Sequence, residues 1–152
     1  MKQFIASIFP PTIFKKRAQY AALAAGFWTI IIMLAQLFRF EKFPKTLESL
    51  GIGDGTIAAI AIVLLEFISL PFLLSMPRLS ELERRISGAC TLLAPGVWLV
   101  ISAAVLMSGG QEKVSLFGAV AALPGVASLL LSGAWLAAAA YLTAKLRRLD
   151  LK

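Results

Sequence analysis

Residues 57 to 76 read IAAIAIVLLEFISLPFLLSM, an apolar run of twenty residues with one ionisable side chain, Glu66. Twenty helical residues, each rising about 1.5 Å, cover the roughly 30 Å hydrocarbon core of a bilayer. A carboxyl group at the centre of such a helix costs at least about 2.5 kcal/mol, and intramembrane ionisable residues usually mark function. The stretch therefore predicts a transmembrane helix with a functional residue near its middle.

The whole chain has the composition of a polytopic membrane protein. Its 152 residues are 59% hydrophobic and 15% charged, with a mean hydropathy of +0.85, whereas soluble domains are about 45–50% apolar and about 25% charged. Pro124 and Gly125 divide the last apolar run, which is too long for one straight crossing. We predict an all-α fold in one membrane domain, an antiparallel four-helix bundle with spans at about 18–38, 57–76, 86–107 and 125–144.

The first loop has an amphipathic pattern. Its apolar residues recur at spacings of three, four and three, and charged residues occupy the other positions, as on one face of a short helix. The apolar set is Phe40, Phe43, Leu47 and Leu50, and the charged set is Glu41, Lys42, Lys45 and Glu48. We predict a helix lying on the outer membrane surface, with Phe43 and Leu47 turned into the membrane.

The distribution of basic residues predicts the orientation. The N-terminal segment, the second loop and the C-terminal tail carry eleven of the fifteen Lys and Arg residues, and the first and third loops carry four. Cytoplasmic loops are enriched in Lys and Arg, so both termini are expected in the cytoplasm. The same topology explains the net charge of +7, and we predict no nucleic-acid partner.

Each predicted span places one large residue with a polar tip at a similar depth. Trp28, Trp98 and Trp135 lie about eleven to thirteen residues into their spans, and Glu66 lies about ten into its own. An indole N–H is a donor that a buried carboxyl group needs. We predict that Glu66 faces the bundle interior, is protonated at neutral pH and bonds to one of these indoles, with Ser69 as a further site residue. The alternative is that Glu66 is a structural hydrogen-bond staple among space-filling tryptophans.

Several kinds of chemistry are excluded by residue type. The chain has no His and a single Cys, Cys90, so a His-ligated metal or haem site and an intrachain disulfide cannot form. We interpret Cys90 as a small buried apolar residue rather than a redox thiol. No catalytic residue and no metal site are predicted.

Residues 36 to 74, QLFRFEKFPKTLESLGIGDGTIAAIAIVLLEFISLPFLL, resemble the DoxX/MauE superfamily of small four-helix bacterial membrane proteins. The resemblance consists of a basic segment with Phe after the first helix, a short helix ending in Leu-Gly, and a second helix with a central Glu. The matching positions are Lys42, Phe43, Leu50, Gly51 and Glu66. The resemblance implies a bacterial inner-membrane protein that acts beside a catalytic partner in redox or maturation complexes. The chain departs from redox-active members by lacking a cysteine pair.

These observations lead to three functional interpretations. The first is a non-catalytic membrane subunit of a DoxX-like redox or maturation complex, whose mid-membrane Glu/Trp pocket accepts a small apolar or quinone-like ligand or a partner helix. The alternative is a small transporter that exchanges protons for hydrophobic cations at Glu66, and the third is a structural subunit without a ligand. No obligatory cofactor is predicted, and the expected partners are the lipid bilayer and another membrane protein or a second copy of the chain.

Overall fold

A computed structural model describes residues 17–38, 40–74, 76, 79–107, 113–114, 116–118, 120–121 and 123–150. The helices are α1 (Arg17–Phe38), α2 (Phe43–Ser49, preceded by a 3-10 turn at Phe40–Lys42), α3 (Gly55–Leu73), α4 (Glu81–Met107) and α5 (Gly125–Asp150). Two short strands, β1 (Lys113–Val114) and β2 (Leu123–Pro124), pair antiparallel, with Val114 opposite Leu123. The N-terminal segment and most of the third loop lie outside the described residues, so the orientation stays a prediction.

The predicted all-α class is confirmed. In the described part of the chain, α1, α3, α4 and α5 are each long and apolar enough to cross a membrane. Their outward faces carry large apolar side chains, among them Phe27, Leu64, Val100 and Leu130. An outward apolar face suits contact with lipid, since lipid tails are as apolar as these side chains.

Local chemistry sets helix ends that differ from the predicted spans. The span predicted to reach residue 76 ends as α3 at Leu73, with Pro71 in its last turn. Pro71 has no N–H to donate to the preceding turn, and the N–H of Phe72 donates to Oγ of Ser87 on α4, at 3.0 Å. This bond ties the end of α3 to its neighbour.

The charged connection before the third span is partly helical. Ser80 donates its backbone N–H and its hydroxyl to the Glu83 carboxylate, both at 2.8 Å, and the Glu83 N–H donates to Oγ of Ser80 at 3.3 Å. This capping box satisfies free donors at a helix start, so α4 begins at Glu81 rather than near residue 86. The last helix likewise continues to Asp150, past the predicted residue 144.

The short helix predicted in the first loop is confirmed as α2, but its expected contact with lipid is wrong. Phe43 and Leu47 are fully buried in protein, and the Phe43 ring stacks on the Trp98 ring with centroids 6.2 Å apart. Close approach to α3 requires Gly55, because a Cβ atom there would lie 2.2 Å from the carbonyl oxygen of Pro44. The helix therefore packs on the bundle, with its charged face exposed.

The described residues between α4 and α5 pack against the bundle. Val114 and Leu116 are fully buried. Gly118 has a φ of 59°, and a Cβ atom on it would lie 2.7 Å from the Gln36 Cα atom. The chain turns here against the C-terminal end of α1 because glycine accepts both this backbone conformation and the close contact.

The helices pack unevenly. The central helix α4 lies along both α3 and α5 and makes the most extensive contacts in the bundle, whereas α1 contacts α3 and, less extensively, α5. The loose packing between α1 and α5 leaves a groove on the side of the molecule. The bundle thus has a tightly packed interior, where Glu66 lies, and an open groove between α1 and α5.

Candidate functional site

Glu66 lies on the face of α3 that points into the bundle, and its side chain has no solvent exposure. Its Oε1 atom accepts two hydrogen bonds, from Nε2 of Gln36 on α1 at 3.0 Å and from Nε1 of Trp98 on α4 at 3.2 Å. The carboxyl group therefore joins three helices. The prediction that Glu66 faces the interior and bonds to an indole from another helix is confirmed for Trp98.

Gln36 is the residue that the sequence argument did not single out. It lies two residues before the end of α1 at Phe38. Its Nε2 group donates to Glu66 and also to the carbonyl oxygen of Leu116, at 3.2 Å. The signal that was available is an amide side chain near the end of an apolar run, at the start of the segment that carries the family resemblance.

Two oxygen atoms of this cluster have no hydrogen-bond partner in the described part of the chain. They are Oε2 of Glu66 and Oε1 of Gln36, and both side chains have no solvent exposure. Buried polar atoms are nearly always hydrogen-bonded in folded proteins. The described residues therefore leave these two oxygen atoms without the hydrogen bonds that buried polar atoms normally make.

Ser69 lies one turn from Glu66 but does not contact its carboxyl group. The Ser69 hydroxyl donates to the backbone carbonyl oxygen of Glu66, at 2.7 Å. Such a bond back to the preceding turn satisfies a buried hydroxyl within its own helix. Ser69 therefore belongs to the surroundings of Glu66 rather than to the hydrogen-bonded set of the carboxyl group.

Trp28 and Trp135 occupy a different place from Glu66 and Trp98. They lie on the walls of the groove between α1 and α5, which has a volume of about 360 Å³. The rest of the wall consists of Leu131, Tyr141, Leu142 and alanines from both helices: Ala21, Ala24, Ala25, Ala134 and Ala138. The single layer predicted from the sequence is thus divided into a buried polar cluster and an apolar groove.

One segment contacts both places. The Phe117 ring meets the Trp28 ring edge-on, with centroids 5.9 Å apart and an interplanar angle of 87°. The preceding residue, Leu116, accepts the hydrogen bond from Gln36. A displacement of Trp28 in the groove would therefore act, through two adjacent residues, on the amide that binds Glu66.

Two further buried hydroxyl groups join α4 to α5. Ser102 of α4 and Ser128 of α5 are hydrogen-bonded through their Oγ atoms at 2.8 Å, and Ser102 also donates to the carbonyl oxygen of Trp98 at 2.7 Å.

Cys90 is buried on α4, in agreement with its interpretation as a small packing residue. Among the described residues, no group of three His, Cys, Asp or Glu side chains is placed to hold a metal ion.

Comparison of the chain with protein-family models, with curated proteins and with solved structures finds no match. The candidate site is therefore interpreted from its own chemistry. The groove offers an open, apolar surface with aromatic walls, and the Glu66 cluster offers buried oxygen atoms. The groove suits an apolar ligand, and the Glu66 cluster suits a small polar molecule or a proton.

Proposed function

We propose that this chain is a non-catalytic subunit of a DoxX-like redox or maturation complex in the bacterial inner membrane, with both termini in the cytoplasm. In this proposal, the groove between α1 and α5 binds a small apolar, quinone-like molecule. The observation that carries the proposal is the position of Trp28 and Trp135 on the walls of this lipid-facing groove. The resemblance of residues 36 to 74 to the DoxX/MauE superfamily supports the complex as the setting.

The groove has the size and chemistry that such a ligand needs. Its volume of about 360 Å³ lies within the range of about 300–1,000 Å³ that is usual for ligand pockets. Indole rings pack well against flat aromatic groups, with favourable offset or edge-on geometry. The alanines leave room beside the two indoles, and the open side lets an apolar molecule enter directly from the bilayer.

The residue types of the chain favour an accessory role. A single cysteine and the lack of histidine leave neither a thiol pair for disulfide exchange nor an imidazole for metal or haem ligation. A quinone-like molecule held by this chain would therefore exchange electrons with a partner protein. In that arrangement the chain positions the ligand, and the partner carries out the chemistry.

The alternative function is proton-coupled transport of hydrophobic cations at Glu66. It is favoured by the Oε2 atom of Glu66, which has no partner in the described part of the chain. A cation would have to reach a carboxyl group that has no solvent exposure and is already bonded to Gln36 and Trp98. The groove needs no such rearrangement to admit its ligand, and we rank it first for that reason.

Tryptophan fluorescence distinguishes the groove from the Glu66 cluster. The Trp98→Phe variant keeps the two groove indoles, and the Trp28→Phe/Trp135→Phe variant keeps only Trp98. With the protein in lipid nanodiscs, a short-chain quinone should quench the first variant saturably and the second only weakly and linearly. Equal quenching in both variants would contradict the groove as the binding site.

A substitution that fills the groove provides a second test of the binding site. Ala138 lines the groove, whereas the adjacent Ala137 is exposed on the same helix and does not. Ala138→Leu should weaken quinone binding at least tenfold by occupying the groove, and Ala137→Leu should leave it unchanged. Proton release on addition of a hydrophobic cation, present in the native chain and absent in Glu66→Gln, would instead establish the transporter.

A further inference from the structure

The amide and indole donors that surround Glu66 are all used. Gln36 has two amide hydrogens, which go to Oε1 of Glu66 and to the carbonyl oxygen of Leu116, and the single indole hydrogen of Trp98 also goes to Oε1 of Glu66. In the described part of the chain, Oε2 of Glu66 and Oε1 of Gln36 have no partner. These two buried oxygen atoms belong to side chains that are bonded to each other.

Exchanging the oxygen and nitrogen of the Gln36 amide does not resolve this shortage. The amide oxygen would then face Oε1 of Glu66 and the Leu116 carbonyl oxygen, which are both acceptors. The present assignment of the amide is therefore the favourable one. No described residue supplies a partner for either oxygen, so a bound molecule suits this place.

A group with O–H bonds suits this place better than a cation does. Water has two donors and two acceptor sites, so it can donate to both orphan oxygens when Glu66 is ionised. When Glu66 is protonated, the same molecule can accept from Glu66 and donate to Gln36. A cation can complete the site only when Glu66 is ionised. Buried waters typically make about three hydrogen bonds to polar groups that are otherwise unsatisfied.

We propose that one O–H group, from a water molecule or from the hydroxyl of a bound membrane molecule, bridges Oε2 of Glu66 to Oε1 of Gln36 and so links α3 to α1. This site is separate from the groove and goes beyond the proposed function. It completes the hydrogen bonding of the only carboxyl group in the apolar run of α3. Its occupancy does not depend on whether a quinone binds elsewhere.

The test is a high-resolution structure of the full chain in lipid, for the native protein and two variants. Density within hydrogen-bond distance of both oxygens is expected in the native protein and in Glu66→Gln, because the glutamine amide can donate to the same guest. Gln36→Leu removes one of the two anchors, and the density should be lost. Direct pairing of the two side chains, or of either oxygen with another protein group, would overturn the proposal.

Two measurements identify the guest and keep the test independent of how Gln36→Leu folds. Mass spectrometry of an organic extract separates the two sources, since a stoichiometric hydroxyl compound indicates a ligand and its absence indicates water. The melting temperature of the native protein should be the same in sodium and choline chloride at equal ionic strength. A sodium-specific rise, or loss of the density in Glu66→Gln, would show a bound cation and refute the O–H assignment.

Discussion

The hydrogen bond from Trp98 to Glu66 is expected from the sequence and is present in the tertiary structure. A double-mutant cycle measures how much this bond contributes to the free energy of unfolding. Glu66→Leu leaves the buried Trp98 N–H and one Gln36 N–H without an acceptor. Trp98→Phe removes the indole donor. The double variant should therefore be less destabilised than the sum of the two single variants, because the second change removes a donor that the first leaves unpaired.

The expected coupling free energy follows from the surroundings of the hydrogen bond between Trp98 and Glu66. In water-soluble proteins an unsatisfied buried donor costs about 1–3 kcal/mol, but cycles on hydrogen bonds between membrane helices average about 0.6 kcal/mol and reach about 1.7 kcal/mol. The bond from Trp98 is 3.2 Å long, and its acceptor atom is shared with Gln36. Because both features weaken it, we expect a coupling free energy of about 0.6 kcal/mol.

The assay is the free energy of unfolding in mixed micelles, followed by the helical circular dichroism signal for the native chain, both single variants and the double variant. Trp135→Phe gives the control cycle, since Trp135 lies on the groove rather than at Glu66. Distant changes add within about 0.3–0.5 kcal/mol, so Glu66→Leu and Trp135→Phe should be additive. Zero coupling with Trp98, or equal coupling in both cycles, would refute the reasoning.

Three further predictions concern packing, topology and protonation. Gly55→Ala should destabilise the protein by about 1–3 kcal/mol or more by overpacking, whereas Gly53→Ala, with no atom within 4 Å of its Cβ position, should change the melting temperature little; similar losses in both would contradict the α2–α3 contact. Reporter fusions at Ser80 and Gly110 should lie in opposite compartments, and a common compartment would disprove the topology. The infrared spectrum at neutral pH should contain a protonated carboxyl band that Glu66→Gln removes, because burial away from cations disfavours the charge; an unchanged spectrum would mean that Glu66 is ionised.

The sequence alone determined the four membrane crossings and the inward direction of Glu66. Both follow from local quantities, because a segment in lipid must satisfy its own backbone and is recognised by its length and hydropathy. A carboxyl group in such a segment must avoid lipid, so its direction was also predictable. The short helix α2 could be predicted for the same kind of reason, since its apolar spacing is visible in the sequence.

The tertiary structure decided which residues meet Glu66. Counting residues gives depth at about 1.5 Å per residue, but with 3.6 residues per turn an error of one residue rotates a side chain by about 100°. Three tryptophans at similar depth therefore looked equivalent, although only Trp98 faces Glu66 and the other two face the groove. Gln36 reaches Glu66 because the turn at Leu116 to Gly118 packs on the end of α1. That contact joins residues eighty positions apart, and no local pattern encodes it.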